Sequence, residues 1–192
     1  MSETLLDRAL IDVCHALDTR GIAFALVGGL AVSLRAEVRF TRDIDFALSV
    51  TENAEVELLV RELQAMGYKV KALIEQDAQH RLATVRLVAP TGVPVDLLTA
   101  SSGIEPELVK RAELVIWNTE CSLHVARREE LLALKVLSVT ERRPQDLTDV
   151  RALLKAGVDH ATVEGNLAEI QARGFHRKQD LLAKYRQLVA EM

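Results

Sequence analysis

Two adjacent glycines, Gly28 and Gly29, constrain this chain most, because they stand between a short apolar run and a segment with helical periodicity. Residues 23–27 predict a buried strand, and residues 30–36 predict a helix that begins at the glycines. At such a turn the backbone can approach a ligand closely, and the N–H groups at the helix start favour an anion such as phosphate. A tight turn needs glycine for steric reasons alone, so the pattern indicates a phosphate site only in combination with other residues.

Thirteen residues separate the glycines from a predicted strand, residues 43–48, that has one apolar and one acidic face. Asp43 and Asp45 share the acidic face, and Asp96 occupies a similar position in a later predicted strand, residues 93–98. An isolated pair of this kind is usually just exposed to solvent. Three carboxylates together would repel one another, by about 4 kcal/mol for two charges 4 Å apart at a dielectric constant near 20. Such a cluster attracts a cation, and Mg²⁺ suits it as a hard ion with oxygen ligands.

The order of the predicted elements indicates an α/β (α+β) fold, with a small mixed β-sheet flanked by helices and followed by a helical region. We expect residues 1–100 to form the catalytic core and residues 101–192 to form a C-terminal region that completes the cleft. Further strands are predicted at residues 68–73 and 82–89, with candidate strands at 114–117 and 123–126. The predicted helices outside residues 30–36 cover residues 5–17, 55–66, 105–112, 127–141, 145–156, 162–173 and 178–190.

The composition is that of a globular protein, since 49% of the 192 residues are hydrophobic and can supply a packed core. No apolar run is long enough to cross a bilayer and the N-terminus has no signal-peptide pattern, so we expect a cytoplasmic protein without a membrane partner. Cys14 and Cys121 lack a metal-ligand spacing and are expected to be reduced thiols. The net charge of −4 does not indicate a nucleic-acid binder, although basic clusters in the C-terminal half leave that open.

Together, these motifs resemble a known group of enzymes. The pattern V-G-G, thirteen residues, D-I-D and a later strand PVDLL resembles the polymerase-beta-type nucleotidyltransferase superfamily. Within it, GGLAVSLRAEVRFTRDIDF and KVLSVTERRPQDLTDV resemble the abortive-infection and toxin-type nucleotidyltransferases of bacterial toxin–antitoxin systems. The motifs cover approximately residues 26–98 and 131–150. The resemblance implies a metal-dependent enzyme that transfers a nucleoside monophosphate from an NTP to an acceptor hydroxyl and releases pyrophosphate.

The resemblance also implies roles for the carboxylates and the glycines. Asp43 and Asp45 would hold two Mg²⁺ ions, for which Mn²⁺ is an alternative, and one ion would bridge the triphosphate. Asp96 would bind the other ion and act as, or help to create, the base that activates the attacking hydroxyl. Gly28 and Gly29 would lie against the phosphates.

The turn departs from the family pattern, because many members carry Ser where this chain has Gly29. Ser33, one helical turn later, is a candidate replacement, although a capping or surface role explains it equally well. Arg39, Thr41 and Arg42 precede the acidic strand and are candidates to reach a phosphate or the acceptor. Thr41 also fits a turn, and an arginine there also fits a role in neutralising the aspartates.

Two further candidates come from the C-terminal motif. Lys135 lies in the middle of an apolar helix, where a lysine usually extends to solvent, but the resemblance directs it into the cleft toward the triphosphate. Asp146 follows Pro144 in the first turn of a predicted helix, which the helix dipole favours. The resemblance instead puts Asp146 at the rim of the active site, where it orients Lys135 or an arginine. His80 and the other histidines show no ligand spacing.

The acceptor and the partners remain open on the sequence alone. Candidate acceptors are a tRNA 3′ end, a protein side chain and a small molecule such as an antibiotic, and a cognate antitoxin is a candidate partner. A different class, a catalytically weak relative that binds nucleotide or a partner protein, is supported only by the missing serine. A phosphatase-like or glycosyltransferase enzyme explains neither the glycine turn nor Asp96.

Overall fold

A computed structural model describes residues 4–76, 81–117, 122–140 and 142–191 of the chain. These residues form eight helices and one mixed sheet of seven strands, which confirms the predicted fold class. The helices are α1 (Leu5–Thr19), α2 (Gly28–Arg35), α3 (Asn53–Ala65), α4 (Glu105–Arg111), α5 (Arg128–Ser138), α6 (Pro144–Lys155), α7 (His160–Ala172) and α8 (Leu181–Ala190). The strands are β1 (Phe24–Val27), β2 (Ile44–Leu48), β3 (Lys69–Gln76), β4 (Arg81–Val88), β5 (Pro94–Leu98), β6 (Glu113–Ile116) and β7 (Ser122–Val125).

The sheet has the strand order β3-β4-β5-β2-β1-β7-β6. Strand β2 lies in its middle, antiparallel to β1 and parallel to β5. Strands β3, β4 and β5 are antiparallel neighbours, while β7 runs parallel to β1. Ile44 and Phe46 of β2 are fully buried, so one face of the strand belongs to the core and the other face is left for polar side chains.

The N-terminal helix α1 illustrates how local sequence positions the layers around the sheet. Thr4 and Asp7 form a capping box at its start, which satisfies backbone N–H groups that have no partner within the helix. Leu10, Val13 and Leu17 lie on one stripe of the helix and are fully buried, as the helical spacing of these residues predicts.

The C-terminal half contributes two strands to the sheet, whereas the sequence presents this half as mainly helical. Strand β7 pairs with β1 through Leu26 and Val125. Arg35, at the end of α2, donates hydrogen bonds to the carbonyl oxygens of Val125 (2.8 Å) and Ala126 (3.0 Å). These contacts join distant parts of the chain, so short-range periodicity could mark β6 and β7 only as candidates. His80 and Cys121 lie outside the described residues, and Cys14 is buried in α1.

Helix α5 packs against α2, α6, α7 and α8, and together with the sheet it borders a cleft of about 840 Å³. In the parts of the chain that the structure describes, no helix is both long enough and apolar enough to span a membrane.

Candidate active site

The three aspartates predicted from the sequence meet at the floor of this cleft. Asp45 of β2 and Asp96 of β5 are register partners on parallel neighbouring strands, so their side chains project from the same face of the sheet. Asp43 precedes Asp45 by two residues and shares that face. All three side chains line the cleft. Asp43 and Asp96 are 53 positions apart in the sequence, and the structure brings both together with Asp45.

The carboxylates raise the cost of one another's ionisation. Burial, and then the negative charge of Asp96, raises the pKa of the Asp45 carboxyl to about 7. Burial also raises the pKa of Asp96, although Arg86 opposes this effect with an ion pair of 3.1 Å between Arg86 Nε and Asp96 Oδ2. Negative charge in the cluster is therefore incompletely compensated by the protein.

The donor chemistry of the cluster suits a divalent cation. Within residues 4–76, 81–117, 122–140 and 142–191, no three Asp, Glu, His or Cys side chains are already arranged around a common metal position. One oxygen of Asp96 is engaged by Arg86. Carboxylate oxygens with uncompensated charge are nevertheless the ligands that Mg²⁺ prefers, so the chemical type of these side chains suits the ion.

The glycine turn lies directly against the carboxylates. Gly28 has φ = +65°, and a Cβ atom at this position would lie 1.9 Å from Asp45 Oδ2. A side chain at residue 28 is thus excluded both by the backbone conformation and by the Asp45 carboxylate. At Gly29, a Cβ atom would lie 2.2 Å from Nη2 of Arg39. The guanidinium of Arg39 therefore occupies the space in which a serine side chain would begin.

A polar network joins this turn to the C-terminal helices. Arg39 makes a bidentate ion pair with Asp149, with distances of 2.6 Å from Nε to Oδ1 and 2.9 Å from Nη2 to Oδ2. Lys135 Nζ lies 2.7 Å from Asp149 Oδ2 and 2.8 Å from Asp146 Oδ1. The Asp149 side chain is 1% exposed, so one buried carboxylate holds two cations at the edge of the cleft.

The remaining candidates from the sequence divide between the cleft and its surroundings. Thr41 lines the cleft. Ser33 does not line the cleft. Its hydroxyl donates to the carbonyl oxygens of Gly29 (3.1 Å) and Arg39 (3.2 Å). Arg42 also lies outside the lining and places its guanidinium 5.3 Å from the centre of the Phe40 ring.

Several polar residues of the site, Arg86 among them, were not selected from the sequence. Asp149 lies within the recognised C-terminal motif, three residues after Asp146, and this helical spacing puts both on one face of α6. Arg143 and Arg177 also line the cleft, but in the sequence they stood out only as members of basic clusters. Their placement depends on tertiary packing, so spacing alone carried no signal for them.

The mixed sheet, with three carboxylates beside a glycine turn and a strand-to-helix connection, defines a nucleotidyltransferase of the polymerase-beta-like fold. The family described as "Nucleotidyl transferase AbiEii toxin, Type IV TA system" matches residues 13–190. The chain belongs to this family and is an NTP-dependent nucleotidyltransferase. The family predicted from the sequence motifs is thereby confirmed.

Several solved structures share the fold at low sequence identity. The solution structure of the antibiotic-resistance factor ANT(2″)-Ia has a TM-score of 0.58 and 15% identity, over 100% of both chains. The crystal structure of ANT(2″)-Ia with adenylyl-2″-tobramycin has a TM-score of 0.55 and 14% identity, over 88% of this chain and 99% of that one. The lincosamide antibiotic adenylyltransferase LnuA, bound to lincomycin, has a TM-score of 0.51 and 13% identity, over 77% of this chain and 97% of that one. A search of curated proteins finds no significant match.

Proposed function

We propose that this nucleotidyltransferase is metal-dependent and transfers a nucleoside monophosphate to a hydroxyl group of an acceptor, with tRNA as the first candidate. The observation that carries the proposal is the direct pairing of Asp45 with Asp96 on parallel strands, with Asp43 on the same face. A cation site and a phosphate site would then be adjacent, because Gly28 presents its backbone to the Asp45 carboxylate.

In this proposal the three aspartates hold the divalent ions. When bound, these ions would supply the positive charge that favours ionisation of the attacking hydroxyl and stabilises the leaving pyrophosphate. The hydroxyl oxygen forms a bond to the α-phosphorus while the bond from that phosphorus to the pyrophosphate oxygen breaks. Asp96 is the proposed acceptor of the hydroxyl proton.

Lys135 and Arg39 are the proposed ligands of the triphosphate. Both side chains are positioned by Asp149 and line the cleft beside the glycine turn. Since Arg39 occupies the space above Gly29, its guanidinium stands near the position where other family members carry a serine. We propose that its guanidinium replaces the serine hydroxyl as a hydrogen-bond donor to phosphate, through the N–H groups that the pair with Asp149 leaves available.

A small-molecule acceptor is the second candidate, because ANT(2″)-Ia and LnuA, which share the fold, act on antibiotics. The family further supports the proposal that a cognate antitoxin counteracts this enzyme.

The test incubates the protein with Mg²⁺ and each of the four NTPs labelled at the α-phosphate, alone and with total tRNA, tobramycin or lincomycin. We expect label in tRNA, loss of transfer on addition of EDTA, and loss of transfer in Asp45→Asn. Asp18→Asn, at an exposed position of α1, is the matched control and should retain activity. Label in an antibiotic would select the second acceptor class. Transfer that persists in Asp45→Asn or in EDTA would refute the proposed metal site.

A further inference from the structure

The turn between α7 and α8 contains an unusual backbone conformation. Arg177 and Lys178 have φ values of +52° and +60°, and they are the only residues other than glycine with positive φ among those the structure describes. The N–H of Gln179 donates to the carbonyl oxygen of His176 at 2.9 Å, so these residues form a tight turn with both central positions left-handed. Glycine, asparagine and aspartate normally fill such turns. Two long cationic side chains at these positions therefore need an explanation.

Contacts of Phe175 and Arg173, which precede this turn, hold it against the loop and the helix that follow β5. Phe175 is buried, and its ring covers Gly103 so closely that a Cβ atom there would lie 2.5 Å from the ring. Arg173 forms a bidentate ion pair with Glu107, at 2.8 and 3.0 Å. Because β5 carries Asp96, the turn is fixed on the side of the cleft where the proposed base lies.

The strained conformation directs Arg177 to the rim of the catalytic cleft, which it lines together with Arg143. Its Nη2 atom makes only long contacts, 3.4 Å to the carbonyl oxygen and 3.5 Å to the hydroxyl of Ser101. Desolvation, and then the positive charge of Arg143, lowers the pKa of Arg177. Within the described residues, no carboxylate forms an ion pair with Arg177.

Glu105, whose negative charge acts on Arg177, is already occupied by other donors. The carboxylate of Glu105 accepts hydrogen bonds from the backbone N–H groups of Ser101, Ser102 and Gly103, at 2.7–2.8 Å, and from the hydroxyl of Ser102 at 2.9 Å. Arg143 is itself half-exposed and lies 3.6 Å from Asp146. The two arginines thus place positive charge at the cleft that the protein neutralises only in part.

We propose that Arg177, with Arg143, binds a phosphate group of a substrate. This inference rests on the proposed transferase function and specifies its substrate class. The group is either a phosphodiester of a nucleic-acid acceptor or the triphosphate of the nucleotide, and a guanidinium pair suits both. The position of the turn beside β5 favours the acceptor, and it disfavours a cationic acceptor such as an aminoglycoside.

The matched control is provided by the same turn. Lys178 has the same left-handed conformation and the same charge as Arg177, but it does not contribute to the cleft lining. Arg177→Ala and Lys178→Ala therefore remove equal charge from equivalent backbone positions. Arg177→Lys keeps the charge but loses the planar fork, and circular dichroism checks that each variant is folded.

Two binding measurements separate the sources of phosphate without requiring turnover. The first determines Kd for α,β-methylene NTP analogues with Mg²⁺, which cannot transfer a nucleotide. The second determines Kd for fluorescent tRNA without NTP over a range of salt concentrations. We expect Arg177→Ala to weaken tRNA binding about tenfold, as for one charge-assisted hydrogen-bond pair, and to lower the salt slope by about one. Lys178→Ala should bind like the wild type.

Each outcome decides the inference. Weakening of tRNA binding alone assigns the site to the acceptor, and weakening of analogue binding alone assigns it to the triphosphate. Equal affinities of Arg177→Ala and Lys178→Ala for both ligands would overturn the inference. Its failure is distinguishable from failure of the proposed function: an inactive wild type that binds tRNA through Arg177 refutes only the transferase proposal. If the wild type is active and Arg177→Ala binds both ligands as the wild type does, only the phosphate site is refuted.

Discussion

Asp149 is the residue whose replacement best tests the reasoning about the polar network. Its side chain is 1% exposed, and its two oxygens bind Arg39 at 2.6 and 2.9 Å and Lys135 at 2.7 Å. Asp149→Asn preserves the volume of the side chain but removes its charge. The neutral amide cannot reproduce the bidentate pair with Arg39, because one oxygen becomes an N–H donor, and it supplies no charge to balance Arg39 and Lys135. Asp146 would then be left to compensate Lys135 alone.

The expected cost follows from the burial of the partners. Removing one member of a buried ion pair destabilises a protein by about 3–5 kcal/mol, because the remaining charge stays desolvated. Arg39 is 22% and Lys135 is 12% exposed, so water relieves part of the penalty and the lower end, about 3 kcal/mol, applies. For a chain of this length the loss corresponds to a fall in Tm of about 6–12 °C.

Urea denaturation monitored by circular dichroism measures this loss as a change in the unfolding free energy. Glu164→Gln is the control, since it breaks an exposed ion pair with Arg186 and should not change stability measurably. The double variant Asp149→Asn/Lys135→Gln should lose less than the sum of the single losses, because it leaves one fewer unpaired charge. A loss below about 1 kcal/mol in Asp149→Asn, or strict additivity in the double variant, would refute the argument.

Two further predictions concern the floor of the cleft. Gly28→Ala should abolish nucleotidyl transfer, because its Cβ would collide with the Asp45 carboxylate, whereas Gly21→Ala has a similar φ of +66° in open space and should remain active in the same assay. The raised pKa of Asp45, about 7 against an ordinary value of 3.8, means that the folded state binds more protons than the unfolded state between these pH values. Metal-free protein should therefore lose stability as the pH rises from about 4 to about 7. The Tm of Asp45→Asn should therefore depend less on pH than the Tm of the wild type. At pH 8, Mg²⁺ should raise the Tm of the wild type but not that of Asp45→Asn. Equal pH profiles of the two proteins would count against the raised pKa of Asp45.

The central strands could be predicted from the sequence because burial there follows local pattern. Ile44 and Phe46 alternate with aspartates, and a period of two residues specifies a strand with one buried face. The helices followed equally well from their apolar stripes and caps. The register between β2 and β5 is different in kind, because it depends on how the 45 residues between the two strands fold back. Only the structure shows that Asp45 and Asp96 stand opposite each other.

The distinction between local sequence pattern and tertiary packing also separates the predicted from the missed residues of the site. Motif resemblance selected Asp43, Asp45 and Asp96, since their chemistry is tied to a recognisable spacing. The motif did not explain why this chain has Gly29 where other members have serine. In the structure, a Cβ atom on Gly29 would lie 2.2 Å from the guanidinium of Arg39, which is ten residues later in the sequence. The local departure in the sequence is therefore accompanied by a contact with a residue ten positions later.

The pairing of charges across the cleft follows a consistent pattern. Four cationic side chains have carboxylate partners: Arg86 with Asp96, Arg39 with Asp149, Lys135 with Asp149 and Asp146, and Arg143 with Asp146. Among the described residues, the charged groups of the cleft without an ion pair are Asp43 and Asp45 beside Asp96, Lys71 and Glu75 on β3, and Arg177. Asp149 holds the proposed triphosphate ligands Arg39 and Lys135 in place, whereas Asp43 and Asp45 have no cationic partner in the protein. Asp43 and Asp45 therefore fit the proposed place of the metal, because a bound cation would supply the charge partner that the protein does not.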